Sequence, residues 1–532
     1  MIRSAAAAAL AFAALASTAF ADPLPPEQSA IRAHVSFLAA DALKGREAGT
    51  PDYDVAADYV ASEMEAAGLE PAAGDGKWLQ PVPLAAAKPV GAAELTLNGK
   101  PLVFGTDFTI RPFAGPATLD VSAPVVFVGN GVVDKASGID DYKGLDVRGK
   151  IVAMLYSGPK GLNSEVAAHL GNRMDRAILA KAKGAVGVVY IYTNQLQGVL
   201  PFDRMAAMAD GRVMAWANPP GGAARDLGAP SLAIMSFAGA DKLFAGSRLS
   251  WNGIRAAADA GTPLPRGPLA ATLAARQRFT VERLQSSNVV GVLRGSDPKL
   301  RGEYVVLSAH LDHVGVTRPN AHGDAINNGA MDNAMGVAAM LEVARAVQAG
   351  GERPKRSLLF VAVTAEEKGL VGSDYFARHP TVPARSMVAD VNLDMPIMTY
   401  RFQDLVAFGA ERSTIGDVAR QAAAAERIAL VPDPEPEEAI FTRSDHYSFV
   451  RVGVPSVSLS PGPGGPGAKA TAAFLKDHYH QPSDEVSLPI DWQAAAAFVR
   501  INAAIARTLA DTPQRPAWKA GDYFGSQYAG GR

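Results

Sequence analysis

The sequence predicts an α/β protein built on a mixed, largely parallel sheet sandwiched by helices. Three observations predict it. From about residue 286 onward, short β-branched runs alternate with amphipathic stretches, the pattern of strands joined by helical crossovers. The runs are almost wholly apolar, as strands covered on both faces must be. Several of them end abruptly in His, Asp or Glu, at the edge where an open α/β sheet binds its ligands.

The chain has 532 residues, 48% of them hydrophobic and 20% charged, enough for two or three domains. Lys and Arg total 51 against 53 Asp and Glu, a net charge of -2. That balance gives no basic field for nucleic acid and no acidic tail. There is no cysteine, which excludes thiol catalysis, a Cys lipid anchor, Cys-ligated metal and disulfides.

Residues 1–21 read as a signal peptide: Arg3, an Ala/Leu/Phe run, then Ala19-Phe20-Ala21 as a small-x-small cleavage site. The apolar run is shorter than the roughly 20 residues a spanning helix needs, and no second run is long enough. The expectation is an exported protein, periplasmic or secreted, without an integral membrane segment in the mature chain. Residues 28–70 read as helices around a turn, with Ala57, Val60, Met64 and Leu69 on one face and AGLEP as a stop signal.

Between roughly 116 and 274 the texture changes. APVVFVGNGV and GKIVAMLYSG are short strands bounded by Gly, NRMDRAILAKAKGAVGVVYIYT is a helix leading into a buried strand, and SLAIMSFAGADKLF is a strand and helix. Clustered His, Asp and Glu are scarce there, so this segment is expected to carry little chemistry. From 286 the strands SNVVGVLRG, EYVVLSAH, SLLFVAVTA, SMVADVNLD and VPSVSLS follow, with the helix NAMGVAAMLEVARAVQAG between the second and third. The tail from Thr512 is rich in Pro and Gly and is expected to wrap the surface or fray.

The ends of these strands hold the candidate chemistry. EYVVLSAH runs into His310, Asp312 and His313, SLLFVAVTA into Glu366 and Glu367, and SMVADVNLD into Asp394. Asp332 lies just before the first crossover helix, and DHYHQPSDE supplies Tyr479 and His480. Imidazoles and carboxylates in this number suit a divalent metal such as Zn²⁺, with Co²⁺ and Mn²⁺ able to use the same ligands. Four carboxylates cannot crowd together without compensation, and two cations bridged by Asp332 would supply it. Of two adjacent glutamates, one would bind metal and the other would receive a proton from water.

The residues SAHLDHVG, GDAINNGAMDNAMG, VTAEEKGLVGSDYF, VNLDM and YHQPSDE, with HVSFLAADALKGREAGTPDYDVAADYVASEMEAAGLEP and SSNVVGVLRGS, resemble the co-catalytic dizinc aminopeptidases. The wider group includes the glutamate carboxypeptidases and the transferrin receptor. The resemblance implies a zinc-exopeptidase fold over residues 22–115 and 275–511, interrupted by a β-rich protease-associated domain at 116–274, with a tail at 512–532. It implies two Zn²⁺ per chain: His310 and Asp394 on one, Glu367 and His480 on the other, Asp332 bridging through a loop with a cis peptide to Asn333. It implies Glu366 as general base, Tyr479 as a stabiliser of the oxyanion, and Asp312 as acceptor of the second ring N–H of His310.

Other residues stay open at this point. His313 reads as supporting or structural. His446 lines the substrate site or makes a structural hydrogen bond. Phe449 and Met395 line an apolar pocket or pack in the core. The expected activity is release of N-terminal residues from peptides. A carboxypeptidase or dipeptidase of the glutamate carboxypeptidase kind uses the same ligands and differs in pocket charge, for which Arg443 is a candidate. A non-catalytic, receptor-like binding protein is disfavoured by the complete ligand set. Single-zinc glutaminyl cyclases share the fold but are disfavoured for the same reason.

Overall fold

A computed structural model describes residues 24–112, 114–218 and 226–531. The expected signal peptide at 1–21 lies outside the described residues. No helix among those described is long and apolar enough to cross a membrane.

The core of the first sheet is four parallel strands in the order Ser456–Pro461, Met387–Asn392, Tyr304–His310, Ser357–Val363. Antiparallel neighbours flank them: Asp404–Phe408 on one side, and the C-terminal part of Gly267–Leu293 on the other. Leu79–Pro89 and Val213–Trp216 extend that second side. The sheet is therefore mixed, with its parallel strands at the centre. Every residue of Tyr304–His310, Ser357–Val363 and Met387–Asn392 is buried, which explains why their sequences read as unbroken apolar runs rather than alternating ones.

The two faces separate by the period of a strand. Val305, Leu307 and Ala309 pack with Leu358 and Phe360 in the cluster that also holds residues of the helices Pro26–Leu38, Met335–Ala349 and Trp492–Asp511. Tyr304 and Val306 turn the other way, with Leu359 and Val361, onto Phe376 and Phe449 of two short helices.

A second sheet is built from Thr118–Phe127, Ile151–Leu155, Gly187–Ile191 and Ser231–Met235, all parallel neighbours in that order. The 27-residue strand Gly267–Leu293 ties the two sheets together. Its first part pairs with Thr118–Phe127 and its last with Leu79–Pro89 and Ser357–Val363. Its burial alternates at first and then becomes continuous, as one strand passes from a half-covered sheet to a fully covered one. Glu94–Leu97 and Phe108–Thr109, upstream of residue 116, also pair within this second sheet.

Residues 116–274 alternate strands with helices. Among the described residues six helices accompany the strands, Arg173–Ala182 and Trp251–Ala260 being the longest. The reason is topological: parallel neighbours cannot be joined by hairpins and need crossover segments. The tail does not fray. Phe524 is fully buried, Trp518 donates to the carbonyl of Gly453 at 3.0 Å, and Arg412 holds Asp522 at 2.9 Å.

Candidate metal centre

Parallel pairing puts the carboxyl ends of the central strands on one edge, so His310, Glu366, Glu367 and Asp394 meet there. Asp332 arrives from the loop before Met335–Ala349, and its peptide bond to Asn333 is cis. His480 arrives from the turn after Gly467–Asp477, with a φ of 54°.

The Asp332 carboxylate stands at the centre. Its Oδ1 lies 3.2 Å from His310 Nε2, which is itself 3.0 Å from Asp394 Oδ1. Its Oδ2 lies 3.2 Å from His480 Nε2, which is 3.1 Å from Glu367 Oε2. Two groups of nitrogen and oxygen donors thus share one carboxylate. Ligands about 2.0 Å from a tetrahedral cation are about 3.3 Å apart along an edge, so this spacing fits metal coordination. Ligand atoms of His310, Asp332 and Glu367 all fall within 4.8 Å of one another.

The charge balance points the same way. Burial pulls the His310 imidazolium down, yet Asp394 and Asp332 hold it well above its usual range. His480 is pushed up to about 10, burial being outweighed by Asp332 and Glu367. Asp332 is held well below the usual carboxylate range despite its burial, by His313, His310 and His480. Glu367 is lowered to about 2; its burial and the Asp332 charge are overcome by His313 and His480. These carboxylates demand positive charge, which a metal ion supplies more directly than protonated imidazoles do.

Glu366 stands apart from this group. Burial pushes its carboxyl well above the usual range, and Asp445, Glu367 and Asp394 add to the effect while His310 opposes it. Tyr479 stacks on the His480 ring at 3.9 Å. Burial, then Asp332 and Glu367, raise its phenol, so it stays protonated and able to donate.

Asp312 meets the His310 ring through its main chain. The ring N–H at His310 Nδ1 donates to the main-chain carbonyl of Asp312 at 3.1 Å, not to its carboxylate. The carboxylate instead accepts the backbone N–H of Glu366 at 3.0 Å and that of Glu367 at 3.4 Å. The strand Ser357–Val363 has just ended there, and these two N–H groups have no ladder partner. Asp312 therefore fixes the Glu366–Glu367 turn with its side chain and the tautomer of His310 with its backbone, leaving Nε2 free for metal.

His313 donates from Nδ1 to Glu367 Oε1 at 2.7 Å. His446 is fully buried, and neither ring nitrogen has a side-chain partner among the described residues. Phe449 packs under the sheet 6.0 Å from Phe376, so it belongs to the core. Met395 is half-buried against the main core. Arg443 is spent on Glu438 at 2.9 Å.

Four supporting residues were not singled out by sequence for the contacts they make. Asp484 accepts the N–H groups of Met331 and Asp332 at 2.9 and 3.0 Å. Arg46 buries its guanidinium and donates to the carbonyls of Leu38, Leu311, Asn328 and Gly329. Ser444 hydrogen-bonds Asp394 Oδ2 and accepts from Asn392 at 2.7 Å. Asn333 donates to the carbonyls of His310 and Leu393 at 3.3 and 3.0 Å, tying the Asp332 loop to both strand ends. The only sequence signal for Asp484 and Arg46 is that both lie inside the motifs that carry the family resemblance.

Residues 288–506 match the model of Peptidase family M28. A probable zinc metalloprotease of Pyrenophora teres f. teres is 35% identical over 109 residues, covering 20% of this chain and 22% of that protein. A probable glutamate carboxypeptidase of Arabidopsis thaliana is 29% identical over 192 residues, covering 34% and 26%. The chain thus matches about a quarter of the length of these relatives. The aminopeptidase from Aneurinibacillus sp. strain AM-1 superposes with a TM-score of 0.53 at 19% identity, over 93% of this chain and 97% of that one. That likeness is one of fold.

Proposed function

From the match of residues 288–506 to the model of Peptidase family M28 we propose a zinc-dependent exopeptidase that removes N-terminal residues from peptides. The observation that carries the reading is the Asp332 carboxylate, with one oxygen toward His310 and Asp394 and the other toward His480 and Glu367. In this reading His310 and Asp394 would hold one zinc and His480 and Glu367 a second, with Asp332 available to both. When bound, the two ions supply Lewis-acid charge that polarises a carbonyl and lowers the pKa of water.

The chain's own residues do the rest. Glu366 takes a proton from the attacking water and returns it to the leaving amine; its raised pKa suits a base that must both accept and release a proton. Tyr479 donates its phenolic proton to the developing oxyanion. Asp312 holds both glutamates in register through their N–H groups. His313 orients Glu367.

Residues 22–115 and 275–511 form the catalytic unit in this proposal. Residues 116–274 form an inserted protease-associated domain whose sheet recruits strands from 94–110. A signal peptide at 1–21 directs export to the periplasm or beyond. The test is to incubate the zinc-loaded chain with mixed peptides, some with blocked N-termini, and follow the products by mass spectrometry. Stepwise loss from free N-termini with blocked peptides untouched is expected. Shortening from the C-terminus would overturn the aminopeptidase assignment in favour of a carboxypeptidase.

A further inference from the structure

A cavity of about 890 Å³ lies between residues 116–274 and the catalytic unit. Arg111, Arg173 and Trp216 line it from one side, and Lys368, Leu370 and Arg451 from the other. Lys368 directly follows Glu367, so the cavity abuts the loop that carries the two glutamates.

The carboxylates on its wall are all engaged. Asp175 pairs with Arg451 at 2.6 Å, Asp374 with Arg378 at 2.8 Å, and Asp226 with Lys181 at 2.7 Å. Lys368 is held by Glu47 at 3.0 Å. Arg111 and Arg173 are left over: among the described residues neither has a carboxylate partner. The Arg173 guanidinium lies 5.4 Å from the centre of the Tyr156 ring, and Arg111 is in electrostatic contact with both Arg173 and Tyr156. Behind them Arg176 is buried. It donates to the carbonyls of Asn130, Leu155, Ser157 and Gly171, and its Nε has no partner among the described residues.

Two guanidiniums, those of Arg111 and Arg173, therefore meet on the wall of a roomy cavity whose one nearby carboxylate, Asp175, is taken by Arg451. The cost shows in Arg111, lowered to about 10 by the Arg173 charge first and by burial second. An anion seated between the two arginines would remove that repulsion.

We propose that Arg111 and Arg173 form an anion subsite that binds a carboxylate of the peptide, an assignment that rests on the peptidase reading. The planar guanidinium forks match a carboxylate in two-point contact. The apolar surface of Trp216 beside them suits the hydrocarbon part of a peptide. The carboxylate has two sources, the peptide's C-terminus or an acidic side chain.

The test separates this subsite from the reaction. Acetyl-glycyl-glycine and its C-terminal amide are titrated calorimetrically into the zinc-loaded full chain and into the Arg111→Gln, Arg173→Gln and doubly substituted chains, with thermal melting as the check on folding. The wild type is expected to bind the free carboxylate about tenfold or more tighter than the amide, as charge-assisted hydrogen bonds require. Each single substitution is expected to shrink that preference and the double substitution to erase it. Equal binding of the two probes by the wild type, or a preference that survives the double substitution, would overturn the proposal.

Kinetics then identify the source. A KM lower for leucyl-glycyl-glycine than for its amide marks the C-terminus. A KM lower for leucyl-glycyl-glutamate amide than for the glutamine counterpart marks an acidic side chain. If the wild type cleaves no peptide, the peptidase reading fails, while the calorimetry still decides whether the anion subsite exists.

Discussion

Asp484 Oδ2 accepts the backbone N–H of Asp332 at 3.0 Å, while its Oδ1 accepts that of Met331 at 2.9 Å. The residue proposed to bridge the metals is thus positioned through its main chain by a carboxylate 152 residues away. Asp484 is itself fully buried, so the two N–H groups have no water to turn to. Asp484→Ala leaves both unsatisfied and frees the loop. Metal affinity is expected to fall about 10–100-fold, as when supporting partners of ligands are removed. Equilibrium dialysis against zinc measures it. Asp484→Asn, which keeps an acceptor, should lose less.

Glu366→Gln removes the base while preserving the shape of the turn, because Asp312 grips the backbone N–H rather than the side chain. The expected result is full metal content with turnover reduced about 10²–10⁴-fold. Wild-type-like turnover in the fully metallated variant would refute the role of Glu366.

Arg46 satisfies four carbonyls from three separate stretches of chain, at Leu38, Leu311 and Asn328-Gly329. Arg46→Met strips those carbonyls of their donor inside the core, and a loss of at least about 3 kcal/mol in denaturant unfolding is expected. Arg46→Lys should rescue little, since one ammonium cannot reproduce the planar fork.

His446 is lowered to about 4, mainly by burial, with Asp394 opposing. The unfolded chain titrates this imidazole near 6.5, so between the two values the unfolded state binds the extra proton. Stability from keeping His446 neutral is complete above about 6.5 and is lost as the pH falls toward 4. His446→Asn should flatten the fall of melting temperature over that window, whereas an unchanged slope would remove His446 as its cause.

The catalytic sheet and its functional edge were legible because buried parallel strands announce themselves as apolar runs. A run of core residues that stops at His or Asp puts a polar group where burial must be compensated. The sequence order of His310, Asp332, Glu367, Asp394 and His480 therefore carried the site. The supporting contacts were not legible. Arg46 reaches carbonyls up to 283 residues away, and Asp484 reaches the Asp332 loop across 152; no local periodicity encodes such pairs. The side-chain contacts of Asp312 were not legible either, because the N–H groups of Glu366 and Glu367 that it accepts come beside it only when the neighbouring strand end is in place. Phe449 reads from sequence as either a pocket or a core residue, and the short helix His446–Val450 turns it under the sheet, into the core. The interdomain cavity was invisible for a similar reason: Arg173 comes from a segment with no clustered acids to draw attention to it, and Arg111 lies upstream of that segment.

The central claim is that one carboxylate, Asp332, organises two metal ions. Anomalous diffraction at the zinc edge from crystals of the zinc-loaded chain tests it most directly. Two peaks are predicted, one between His310 and Asp394 and one between His480 and Glu367, each within bonding distance of a different Asp332 oxygen. A single peak, or two peaks of which either lacks Asp332 as a ligand, would contradict it.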